Sequence, residues 1–167
     1  MTTVVQKAPR LAIDDAIRIA AEVYGLKVSA SVLPSERDQN FLLEISTREK
    51  FVLKIANSDE DSQFLDCQNQ LIRFLAAANI DLEFPRIVKT IAGEDLASVT
   101  GDDSRKHSMR LLTWIDGACF AEVKPHDRKL LASLGKALGQ MDTACANFVH
   151  PAARRVFHWD LRNAQQR

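Results

Sequence analysis

The chain of 167 residues has no excess of either charge sign, with 22 Lys and Arg against 22 Asp and Glu. A balanced chain supplies no basic field to hold nucleic acid or an anionic membrane surface. Long apolar runs are missing too, and none approaches the ~18 residues that cross a bilayer. The first ten residues, MTTVVQKAPR, lack the apolar core of a signal peptide. Cysteine is scarce: Cys67, Cys119 and Cys145 are far apart, odd in number and without a CxxC pair. That pattern argues against a disulfide framework or a zinc site and for free thiols in a reducing cytoplasm. No internal repeat or low-complexity linker interrupts the chain. What remains is an ordinary globular composition, 46% hydrophobic and 26% charged. The length suits one domain, or a small lobe and the start of a second.

Residues 12–24 read as a helix with Ile13, Ile17, Ala20 and Ala21 at helical spacing, ended by Gly25. Three strands follow: KVSASVL from Lys27, Phe41 to Thr47, and Phe51 to Ile55, separated by polar turns. A second helix opens near Asn57, with Ser58 as its cap and Phe64, Leu65, Leu71, Ile72 and Leu75 as its apolar stripe, ending near Asn79. Residues 86–92 and 95–99 read as two short strands around Gly93 and Glu94. His107 to Ile115 is a further strand, broken by Asp116 and Gly117, and residues 125–146 form a long helix. His107 and His126 read as isolated in polar turns, and His150 as a loop residue. The plan is α+β: an antiparallel sheet of five or six strands with a packed helix, then helical material.

Lys54 is the first residue to single out. Strand alternation puts Val52 and Lys54 on one face of FVLKI and Phe51, Leu53 and Ile55 on the other. A lysine inside such a strand must reach water or a partner. Three stretches in order, SVLPSERDQNFLLEI, FVLKIANSDED running into FLDCQNQLIRFL, and MRLLTWIDG, resemble the aminoglycoside phosphotransferase and choline kinase group. They are similar above all to hydroxylysine-kinase-like proteins and to the phosphotransferase module fused to class III aminotransferases. The first stretch has no GxGxxG. The resemblance covers about residues 12–164.

It implies a protein-kinase-like small lobe over residues 1–115, with 12–24 as a leading helix, and a hinge with the start of a helical lobe over 116–167. It implies ATP as the nucleotide. Lys54 would match the phosphate-binding lysine, and Asp66 the helix acid that holds it, with Asp59, Glu60 and Asp61 as alternatives. Residues 35–40 would lie over the phosphates, Arg37 adding a charge. Leu112, Thr113, Trp114 and Ile115 would match the hinge that takes adenine through its backbone. Ile55 and Ile87 would line the purine slot.

His158-Trp159-Asp160-Leu161-Arg162-Asn163 is not read as a catalytic loop: Asn163 follows Asp160 by three residues where that loop needs five. No later acid is available for a metal role, so the general base and the Mg²⁺ ligands are expected beyond this chain. The expected partners are a nucleotide and, in an intact enzyme, a small hydroxyl-bearing acceptor. The other readings are a non-catalytic regulatory or docking module and a self-associating adaptor that uses the helix at 125–146.

Overall fold

A computed structural model describes residues 9–102 and 104–154. Helix α1 spans Ile13–Tyr24, and its first turn is held by the Asp15 carboxylate, which accepts from the Ala12 N–H at 3.0 Å. Gly25 ends it in the left-handed region, at φ 69°, where glycine carries no Cβ penalty. The buried positions are Ala16, Ile19, Ala20 and Tyr24. That face is rotated from the expected one, and Ile13 is exposed. The helix turns the richer combination of Ile19 and Tyr24 inward.

Strands β1 (Ser29–Leu33), β2 (Gln39–Glu44) and β3 (Lys50–Ile55) form an antiparallel meander. Helix α2 (Ser62–Ala77) follows, then β4 (Ile87–Val88), β5 (Ala97–Thr100) and β6 (Lys106–Thr113). Helix α3 (Arg128–Cys145) and a single 3-10 turn at Pro151–Ala153 complete the described chain. The sheet runs β1-β2-β3-β6-β4, and β5 also pairs with β6. The two short segments flanking Gly93 were expected as strands. They do not pair with each other: β5 lies on residues 106–109 of β6, and β4 on residues 111–112. Arg110 falls at the seam between them.

The pleat divides the sheet into two chemically different faces. Phe41, Leu43, Phe51, Leu53, Ile55, Met109 and Leu111 share one face and pack with α1 into the core. Asn40, Leu42, Val52, Lys54, Arg110 and Leu112 alternate onto the other. Ile55, expected in a purine slot, is therefore on the wrong side: it is fully buried in the α1 core. Ile87 pairs with Leu112 and belongs to the Lys54 face.

The cap of α2 also differs from expectation. Residues 58–60 form a turn, and Asp61, extended at φ −68° and ψ 125°, accepts from the Gln63 N–H at 2.9 Å. The Ser58 hydroxyl is buried and has no hydrogen-bond partner among the described residues. Asp61→Ala should therefore cost about 1 kcal/mol, read from the urea midpoint, and Ser58→Ala should cost less.

His107 is no turn residue. It lies within β6, fully buried, with Nδ1 2.9 Å from the Ala56 carbonyl. On α3, Asp127 caps the start by accepting from the Leu130 N–H at 2.8 Å. Its leucines Leu131, Leu134 and Leu138 are exposed. All three cysteines are free. No described helix is long and apolar enough to cross a membrane.

Candidate functional site

The row Asn40–Lys54–Arg110 crosses β2, β3 and β6 in register. Lys54 is half-buried on the face away from α1. Its ammonium makes no ion pair or hydrogen bond among the described residues. Burial pushes its pKa below the ordinary lysine value, the Arg110 cation pushes it further down, and Asp38 pulls it back up. The Oδ1 of Asn40, directly across from Lys54, is buried and likewise has no partner among the described residues. Two cations side by side on one face repel. An anion placed there would relieve both.

The β1–β2 loop is tied down beside this row. Asp38 Oδ1 accepts from the Asn57 backbone N–H at 3.1 Å and from its Nδ2 at 3.3 Å, pinning the loop to the end of β3. Arg37 is half-buried in the same loop and makes no ion pair among the described residues. One row further along the sheet, Leu42, Val52, Leu112 and Ile87 form an apolar strip. Val52 precedes Lys54 by two and shares its face, which adds it to the site.

The quartet expected as a hinge, Leu112 to Ile115, divides by backbone bonding. The Thr113 N–H donates to the Arg86 carbonyl at 3.0 Å, and the Trp114 N–H to the Lys50 carbonyl at 3.1 Å. The Thr113 hydroxyl accepts from the Arg86 N–H at 2.8 Å. Trp114 is oriented by its Nε1–H, which donates to Asp116 Oδ1 at 3.1 Å. Leu112 is buried beneath this corner, while Ile115 has left the strand. The Ile115 N–H is unbonded among the described residues. A cavity of about 590 Å³ opens at this corner, lined by Lys50, Ala76, Phe84, Arg86, Thr113 and Trp114 among others. Lys54 is not part of its wall.

The structure does not bring Asp66 to Lys54. Asp66 lies on an outer face of α2, where Oδ2 accepts from Gln70 Nε2 at 2.7 Å and faces His150 Nε2 at 3.3 Å. The α2 groups that hydrogen-bond to the sheet are neutral, and they bond to Arg110. Its Nη1 donates to Asn69 Oδ1 at 2.6 Å and to the Leu65 carbonyl at 3.3 Å, and its Nη2 donates to Gln68 Oε1. Hydrogen bonds to a charged group contribute about 1.5–3 kcal/mol each. Burial lowers the Arg110 pKa, opposed by Asp38 and Glu60, and the guanidinium stays charged.

Arg110, not among the residues the sequence reading singles out, interrupts MRLLTWI as Lys54 interrupts FVLKI. His150, expected as a loop residue, docks the segment after α3 onto α2 together with the tilted Phe74–Phe148 ring pair, at 5.4 Å. No described group of three or more His, Cys, Asp or Glu could hold a metal ion. Residues 158–163 lie outside the described residues.

A six-stranded antiparallel sheet with α1 on one face and a lysine-bearing row on the other is an α+β fold of the kinase-like class. Two solved structures share it. One is described as amicoumacin kinase hAmiN in complex with AMP-PNP, Ca²⁺ and Ami, with TM-score 0.69 and 15% identity, covering 92% of this chain and 46% of that one. The other is a microcompartment-associated aminopropanol kinase, with TM-score 0.69 and 16% identity, covering 91% of this chain and 46% of that one. The chain belongs to the phosphotransferase enzyme family (APH), whose model matches residues 29–167.

Among curated proteins it is similar to hydroxylysine kinase of Xenopus laevis, 32% identical over 93% of this chain and 45% of the relative. Hydroxylysine kinase of Bos taurus is 31% identical over 87% of this chain and 42% of the relative. The chain thus spans about half the length of the curated relatives it matches.

Proposed function

We propose that this chain is the nucleotide-binding part of an ATP-dependent small-molecule kinase, with residues 1–115 as its small lobe and 116–167 as the hinge and first helical material. The observation that carries the reading is Lys54: a half-buried ammonium with no acid partner among the described residues, on the one strand face that α1 leaves open. A polyphosphate supplies the anion that this row lacks, and Arg37 on the loop can add a second contact. Purine would lie on the Leu42–Val52–Leu112 strip, its edge taken by backbone groups at Thr113 to Ile115. The names of the curated relatives and the solved neighbours favour an amine-bearing metabolite with a hydroxyl as the acceptor. The described residues offer no ligand set for Mg²⁺, so the role assigned to them is binding and orientation of nucleotide.

Titration of AMP-PNP into the ¹⁵N-labelled chain tests this. Saturable shifts are expected at Val52, Lys54, Leu112 and Ile115. Shifts confined to the cavity at Phe84 and Arg86, or none up to millimolar ligand, would defeat the proposal.

A further inference from the structure

We propose that Arg110 is a positioning residue: it holds α2 against the sheet through neutral acceptors, in place of an ion pair between Lys54 and a helix acid. The second half of this statement rests on reading Lys54 as the phosphate-facing cation; the first half does not.

The argument starts from what α2 presents to the sheet. In kinase-like lobes the strand lysine and a helix acid fix each other. Here the acid at the expected place, Asp66, is engaged by Gln70 and His150. The cation that touches α2 is Arg110, one strand further on and directly opposite Lys54 in register. Its guanidinium reaches three acceptors within one helical turn: the Leu65 carbonyl, Gln68 Oε1 and Asn69 Oδ1. Arg110 and Asn69 are both buried. A planar fork with five donors can span such a set, and a lysine cannot.

Position matters as much as bonding. Arg110 lies at the seam where neither β4 nor β5 covers β6, opposite β3. From there one side chain links the strand next to Lys54 with the helix above it. Because its acceptors are neutral, its charge is not cancelled locally. The charged groups facing the pair are Asp38 on the β1–β2 loop and Glu60 before α2, with Asp66 turned toward His150. Arg110 thus sets both where α2 sits and the potential at the Lys54 ammonium.

Arg110→Met, Arg110→Lys and Asn69→Leu separate these effects in the 167-residue chain without nucleotide. Amide exchange of residues 65–72 should quicken by about tenfold or more in all three variants, while β2 and β3 amides hold. The Lys54 titration, followed by its ¹³Cε resonance, should move up only in Arg110→Met, because Arg110→Lys keeps the charge and Asn69→Leu keeps the arginine. A merely structural role would not move that titration selectively. Exchange at 65–72 within twofold of the parent in Arg110→Lys and Asn69→Leu would overturn the proposal, even if Arg110→Met failed to fold. So would an unmoved Lys54 midpoint in a folded Arg110→Met. If both readouts behave as expected and AMP-PNP still fails to bind, the phosphate role of Lys54 falls and the positioning role stands.

Discussion

Lys54→Met will lower nucleotide affinity about 100-fold and, in the same variant, raise the melting temperature of the ligand-free chain. Both effects follow from one arrangement. Charge-assisted contacts to phosphate contribute roughly 2–3 kcal/mol, and 1.4 kcal/mol is a factor of ten. Without ligand, Lys54 is a half-buried cation beside Arg110. Relieving a like-charge cross-strand pair gains about 0.2–1 kcal/mol, or up to ~4 °C in a chain of this size. Methionine keeps the length and apolar stem of lysine, so packing changes little.

The pH dependence has a definite sign. The folded-state pKa of Lys54 lies below the unfolded value. Between the two, the unfolded chain binds more protons, so stability rises as pH climbs through the folded pKa. Below both values the penalty is constant, and Lys54→Met removes this alkaline slope. Calorimetric melting from pH 7 to 10.5, with AMP-PNP titration at pH 7, measures each part. Unchanged affinity would sink the phosphate role of Lys54, and a lowered melting temperature would sink the repulsion argument.

Phe41→Ala will come close to unfolding the lobe. Phe41 is fully buried on β2, on the face that packs with α1. Truncating a buried phenylalanine costs about 3–5 kcal/mol, because the cavity collapses only in part. Total stability of a domain is about 5–15 kcal/mol. The urea midpoint should fall accordingly with little change in slope, and α1 amides should lose protection along with those of β2. A loss below about 1 kcal/mol would mean that α1 repacks into the gap and that this core is not cooperative.

Much of this fold is legible in the sequence because the relevant periods are short. A two-residue period separates Lys54 from Phe51, Leu53 and Ile55 whatever the tertiary context, and Gly25 marks a helix end through its own backbone freedom. What is not legible is rotation. Asp66 and Asn69 are three apart on α2, and which of them turns toward the sheet depends on how the whole helix seats. Charge favours Asp66 as the partner of a lysine; packing seats Asn69 inward and leaves Asp66 to His150. The same ambiguity shifted the buried face of α1 to Ile19 and Tyr24. Ser58 and Asp61 are both competent caps, and only the extended backbone at Asp61 decides between them. His150 reaches Asp66 across a sequence separation of 84 residues, a distance that no local pattern reports. Arg110, a cation inside an apolar strand, is legible from the same two-residue period as Lys54.

Strand β6 is bonded along both edges, to β3 on one side and to β5 and β4 in succession on the other. It is also the strand whose end runs directly into Trp114 and Asp116. The strand that leads toward the residues beyond 116 is therefore the one held by three neighbours. The covalent path out of the sheet thus leaves from its most heavily tied strand, while a second, non-covalent tie returns from His150 to Asp66 on α2.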